Sequence, residues 1–133
     1  MRRVLMTLAC LAAFWGSGTM ALAAEALTGG WRVTEVNGGP VVAGSHPTLN
    51  FGPDGRLSGN ASCNQFGASY SVQGATLSVA QGMATQMACA ASVMQQERLL
   101  LSILTGETQW SVEKDRLTIV GADRSSLRAS RAK

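Results

Sequence analysis

Residues 31–36 alternate apolar and polar, with Trp31, Val33 and Glu35 on one face, the pattern of a strand with one side turned inward. Asn37-Gly38-Gly39-Pro40 ends it with residues suited to a turn. Residues 48–51 and 56–59 flank Gly52-Pro53-Asp54-Gly55, a reverse-turn sequence, and predict a hairpin. Residues 69–72 and 75–79 flank Gln73-Gly74 as a second hairpin, with Tyr70 and Val72 facing Leu77 and Val79. The period then lengthens. Val93, Leu100, Leu101 and Leu104 recur at helical spacing, and Ser92 with Gln95 has capping-box spacing, so a helix is expected over about 92–104, ending near Thr105-Gly106. Residues 108–112, 117–120 and 126–129 predict three further strands. Strands on both sides of one helix, joined by hairpin-length turns, imply an α+β class: an antiparallel curled sheet or incomplete β-barrel of about seven to eight short strands, with the helix inserted. One domain over 27–129 is expected, followed by a frayed basic C-terminus at 130–133.

The first residues have a different character. Met1-Arg2-Arg3 precedes a mostly apolar run from Val4 to Trp15, then Gly16-Ser17-Gly18-Thr19 and Ala21-Leu22-Ala23. A basic start, a short apolar stretch and small residues before the break describe a Sec-type signal peptide over 1–23, cleaved near Ala23. A membrane anchor needs roughly 20 apolar residues, and this run is interrupted too early. Thr7-Leu8-Ala9-Cys10 faintly resembles a lipoprotein site, but almost no apolar segment precedes it, so lipidation at Cys10 is disfavoured. The expected location is the periplasm.

Export changes the charge and the cysteine count. The 133-residue chain carries a formal +3, but without residues 1–23 nine basic side chains face eight acidic ones, which gives no basic face for nucleic acid. Cys10 leaves with the signal, and Cys63 and Cys89 remain. In an oxidising compartment an even pair in a small domain reads as a disulfide in preference to a metal site. A loop of 26 residues corresponds to about 3.5 kcal/mol in the chain-entropy account.

Trp31 with Val36-Asn37-Gly38, then Leu49-Asn50-Phe51, Gly55-Arg56-Leu57-Ser58-Gly59, Cys63-Asn64-Gln65-Phe66 with Tyr70, Thr85-Gln86-Met87-Ala88-Cys89, Glu97 and Leu117-Thr118-Ile119 together resemble the META domain, the HslJ-like family. The specific part is Cys-Asn-x-Phe-x-x-x-Tyr followed by Thr-x-Met-Ala-Cys. Ser62 departs from the pattern where a glycine commonly precedes Cys-Asn, and Ala68 follows Gly67 within the spacing to Tyr70. The resemblance implies a small envelope-associated domain, linked to heat or envelope stress and to secretion or motility, with no established enzymatic activity. Trp31, Asn64, Phe66, Gly67, Tyr70, Thr85 and Met87 are read as structural: Asn64 bonding nearby amides in a left-handed conformation, Gly67 relieving a turn, and Phe66 and Tyr70 packing beneath the helix.

No catalytic constellation is evident. His46 in Gly44-Ser45-His46-Pro47 has no acidic neighbour in sequence to orient it, and there is no nucleophile elbow or phosphate-cradling loop. Met83, Met87 and Met94 lie near Cys89 and suit Cu(I) in chemistry, but methionine ordinarily fills cores, so a copper protein is a distant alternative. Arg124, Arg128, Arg131 and Lys133 read as a solvated strand face and a frayed end, in preference to a membrane-surface contact. The favoured function is a non-enzymatic binding or interaction module without cofactor, monomeric, contacting a protein, peptide or apolar ligand through a concave sheet face or an exposed edge strand. The alternative is a stress-protective envelope protein without a discrete ligand.

Overall fold

The computed structural model describes residues 24–133, so the signal peptide expected over 1–23 and Cys10 lie outside the described residues. A helical turn at 24–27 leads into β1 (Gly29–Val36), β2 (Gly39–Pro40), β3 (Thr48–Phe51), β4 (Arg56–Asn60), β5 (Gln65–Gln73), β6 (Thr76–Val79), β7 (Met83–Ala84), α1 (Ala91–Leu104), β8 (Gly106–Glu113), β9 (Arg116–Val120) and β10 (Ser126–Arg131). Eight strands form one antiparallel sheet in the order β1-β3-β4-β5-β6-β8-β9-β10, and β10 returns to pair with β1. The sheet is thus a closed barrel. Two short strands lie outside this ring: β2 folds back on β1, and β7 pairs with β5.

Local sequence explains the corners. Asn37 and Gly38 both have positive φ, 51° and 82°, as a two-residue hairpin turn matched to strand twist requires. Within β1 the register shifts between Val33 and Glu35. The simple alternation therefore breaks at Thr34, whose hydroxyl donates to the Arg128 carbonyl at 3.2 Å. Val36 is buried in place of Glu35, which sits at the surface 3.8 Å from Arg128, and a carboxyl group is spared desolvation.

Inward side chains from every barrel strand fill the interior, among them Trp31, Phe51, Leu57, Leu77, Ile119 and Leu127, each at most 1 % exposed. An eight-stranded barrel is just wide enough to be filled this way. The concave face considered as a binding surface is therefore the core.

Helix α1 covers the end at which β4 turns into β5. It packs against β1, β8 and β10 and buries Gln96, Glu97, Leu100, Ile103 and Leu104. The capping box expected at Ser92 does not form: the helix starts at Ala91 with Ala90 as a cap that makes no side-chain bond. The chain enters beside the disulfide-bonded Cys89, so a tertiary tie holds the place that a serine cap would otherwise set. At its other terminus the Thr105 N–H and hydroxyl both donate to the Leu101 carbonyl, and Gly106 at φ 95° turns the chain into β8.

The opposite end of the barrel is shut by the helical turn at 24–27. Leu27 is fully buried, and its carbonyl accepts the Trp31 indole N–H at 2.8 Å. Arg131 lies 3.9 Å over the Trp31 ring and donates to the Ala26 and Thr28 carbonyls at 2.7 and 2.8 Å. The C-terminus is therefore less frayed than its basic composition suggested: β10 continues through Arg131, and the Ala132 N–H still donates to Gly30. Arg131 is committed to the barrel end and is separate from the exposed Arg124, Arg128 and Lys133.

Candidate functional site

The motif residues converge where α1 meets the β4–β5 corner. Glu97, 5 % exposed, is the one buried ionisable side chain among the described residues. Its Oε1 accepts the backbone N–H groups of Cys63 at 3.1 Å and Asn64 at 2.6 Å, and its Oε2 accepts Asn64 Nδ2 at 2.6 Å. Asn64 passes the tie onward. Its Oδ1 accepts the Thr85 hydroxyl at 2.9 Å and the Met87 N–H at 2.6 Å, while its Nδ2 also donates to the Met87 carbonyl at 3.3 Å. Thr85 accepts the Gln65 N–H at 3.1 Å, and the Cys63–Cys89 disulfide spans Cα atoms 6.0 Å apart. Helix, corner and the segment 85–89 are thus held by one polar cluster and one covalent bond. Among the described residues no buried side-chain polar atom lacks a partner.

A second branch runs through Gln96. Its Nε2 donates to Ser45 Oγ at 3.0 Å and Ser62 Oγ at 2.9 Å, and its Oε1 accepts the Val42 N–H at 2.7 Å. This branch also steadies Ser62 at the corner. Ser62 keeps φ at 132°, in the region that favours glycine, while its hydroxyl accepts from Gln96 and its N–H donates to Asn60 Oδ1 at 2.8 Å.

These positions revise several expectations. The left-handed residue at the corner is Ser62, and Asn64 reaches across to residues 85–87 instead of capping its own turn. Gly67 lies within β5, paired with Ser58 and Met83, and its carbonyl is where a Cβ on Gly82 would collide. Gly82 therefore permits the chain to pass close over β5. Phe66 is buried near Leu101 and Leu104, but Tyr70, four residues or about 13 Å further along β5, packs edge-on against Phe51 with ring centroids 5.1 Å apart. Its hydroxyl donates to the Gly52 carbonyl at the far end of the barrel. Burial pushes the Tyr70 phenol above its ordinary pKa, a hydrogen bond with Thr28 works against this, and Asp54 adds to it. His46 is exposed in its loop.

Residues 80–90 form a continuous exposed strap between β6 and α1. Met83 is 85 % exposed and Met87 56 %, so neither fills a core, and the disulfide removes Cys89 as a thiolate ligand for copper. Under the strap lies a groove of about 190 Å³, lined by Phe66, Ala68, Val79, Met83, Leu101 and Leu104 among others. No Asp, Glu, Lys, Arg or His occurs between Arg56 and Glu97, so β5, β6, β7 and the strap make a wall without charge. The opposite wall, on β1, β8, β9 and β10, carries Glu35, Glu113, Arg116 and Arg128 around a polar depression. Sequence reading missed Gln96 and Ser45, and placed Arg131 in a solvated basic tract where it instead holds the barrel end. The signal for Gln96 was its place on the helix face that also presents Leu100 and Ile103.

The fold has solved relatives at low identity. A protein from Burkholderia xenovorans, solved by NMR, is 24% identical with a TM-score of 0.67, covering 84% of this chain and 88% of its own. A further NMR structure is 23% identical with a TM-score of 0.65, over 77% and 87% of the two chains. A DUF4847 family protein from Bacteroides vulgatus ATCC 8482, solved by crystallography, is 12% identical with a TM-score of 0.58, over 87% and 99%. No curated protein matches the sequence. The META domain family model matches residues 24–133, all of the barrel together with the Cys63–Asn64 corner, the strap and Glu97, and the chain belongs to the META domain family.

Proposed function

We propose that this protein is an exported, non-enzymatic interaction module of the periplasm, associated with envelope stress or secretion. The observation that carries the reading is where its polar chemistry is used. Glu97, Asn64 and Thr85 bond to one another and to backbone and hold in place a strap whose own residues are exposed, while Gln96 ties the same helix to Ser45 and Ser62. A buried polar cluster that is fully satisfied fixes one geometry of what it ties down. An uncharged surface carrying Met83 and Met87 is suited to contact, since methionine side chains adapt to the shape of a partner. The disulfide fits an oxidising compartment, and the amino-terminal sequence supports export.

The test is crosslinking in the intact periplasm followed by mass spectrometry. One dominant crosslinked partner is expected. A diffuse population of unfolded proteins would instead support a stress-protective role without a discrete ligand.

A further inference from the structure

The barrel wall is unevenly paired beside the strap. β6 and β7 together run along β5, from Thr76 opposite Gln73 to Ala84 opposite Phe66. On the other side β8 pairs with β6 alone, beginning with Gly106 opposite Val79. Among the described residues β7 therefore has a sheet neighbour on one side only. The Thr85 N–H donates to the Gln65 carbonyl at 2.9 Å, so by strand alternation the N–H and C=O of Ala84 point away from β5. The 190 Å³ groove opens on this side, between Met83 and Ala84 of β7 and Leu101, Leu104 and Thr105 of α1.

Such an edge is ordinarily blunted by a very short strand, a charge, a proline, a bulge or a covering segment, and β7, with two residues, has shortness alone. Here residues 80–90 contain neither a proline nor a charged side chain, and the strap is exposed throughout. It is also fixed in place. Asn64 holds Thr85 and Met87, the disulfide holds Cys89, and the close passage of Gly82 over Gly67 sets the line of β7. A strand edge held rigid, left open and set beside an apolar groove offers main-chain hydrogen bonds together with a pocket for an alternate side chain, the two parts of recognition by strand addition.

We propose that β7 is the docking edge of this module and that its occupant is an extended, uncharged peptide segment of a partner protein, which adds a strand beside Met83 and Ala84 and places an apolar side chain in the groove over Leu101 and Leu104. Charge complementarity selects this occupant: a charged residue on the incoming strand would meet no opposite charge on a wall that has none between Arg56 and Glu97, and would lose hydration in the groove. This inference rests on the interaction-module reading and specifies its site.

The experiment uses the protein spanning residues 24–133 with its disulfide formed, and an acetylated, amidated heptapeptide, Thr-Val-Thr-Leu-Thr-Val-Thr, as the probe. Two controls accompany it: the peptide N-methylated at alternate amides, and a version with Lys and Glu in place of the threonines. Binding is followed by amide and methyl NMR. The expected result is a shift of the Gly82, Met83 and Ala84 amides and of the Leu101 and Leu104 methyls with the first peptide. Both controls should bind at least about tenfold more weakly, the scale of one lost hydrogen bond or one desolvated charge. Ala84→Pro removes the outward N–H, and Met83→Lys places a charge on an exposed rim without touching the core; each should weaken binding while Met83→Lys leaves the melting temperature unchanged. Equal shifts from the N-methylated peptide, or shifts away from β7, would overturn strand addition. A concentration-dependent dimer that buries β7 would overturn it in favour of a second copy of this chain. Crosslinks from photoreactive residues at positions 83 and 118 separate the two readings: a single partner captured at 118 but not at 83 leaves the interaction module standing and removes the docking edge.

Discussion

Glu97 grips Asn64 twice, with Oε1 on its backbone N–H and Oε2 on its side-chain Nδ2, both at 2.6 Å. Among the described residues every donor to this carboxyl group belongs to residue 63 or 64, so the helix is registered against the corner by a side chain that accepts three hydrogen bonds there. In Glu97→Gln the new amide must turn its NH2 toward at least one of those donors. A loss of about 2 kcal/mol is expected in urea unfolding, the cost of a buried donor left without an acceptor. Glu97→Ala should lose more, and wild-type stability in Glu97→Gln would show that the register does not depend on this acceptor.

The disulfide and the Asn64 cluster hold the same strap, and the two should be separable. Replacing both Cys63 and Cys89 by serine releases a 26-residue loop, for which about 3.5 kcal/mol is expected by chain entropy. The native far-UV spectrum should survive, because Glu97 binds the backbone of residues 63 and 64 whatever the side chain at 63. Loss of all native structure at 25 °C in the double variant would contradict this.

Ser62 sets backbone strain against a hydrogen bond. Ser62→Gly relieves a φ of 132° while it removes one acceptor of Gln96, and strain of about 1 kcal/mol and a bond of about 1 kcal/mol nearly cancel. Ser62→Ala keeps the strain and loses the bond. The alanine variant should therefore be less stable than both the parent and the glycine variant by about 1 kcal/mol, and melting temperatures give the order.

Arg131 joins the last strand to the first turn through the Trp31 ring and two carbonyls. Arg131→Ala should cost about 3.5 kcal/mol, the low-end sum expected of a stacked cation and two charged hydrogen bonds. Arg131→Lys should restore little, because an ammonium cannot present the same planar fork. Equal stability of Arg131→Ala and the parent would return this residue to the solvated tract suggested by composition.

Tyr70 gives a pH dependence at the alkaline end. Its folded pKa is raised, first by burial, so the folded state keeps the phenolic proton where the unfolded chain has begun to lose it. The contribution is fully present below the ordinary phenol value of about 10 and is lost as pH rises through the folded value. Stability by urea unfolding should fall above that pH in the parent, and the fall should be shallower in Tyr70→Phe.

Family membership and the strand-and-helix order were legible because they rest on local signals: the Cys63-Asn64 and Thr85-x-Met87-Ala88-Cys89 motifs, turn residues such as Asn37-Gly38, and the change of period at Val93. The same signals say nothing of partners distant in the chain. Whether the sheet closes depends on β10 meeting β1, a pairing between residues about a hundred positions apart, and the edge at β7 exists because β8 begins only at Gly106. The roles of Gln96, Ser62 and Arg131 depend likewise on side chains brought together from separate elements. Periodicity encodes which face of an element is apolar; the chain's closure on itself determines which polar groups that face must also satisfy, and which edge is left unpaired.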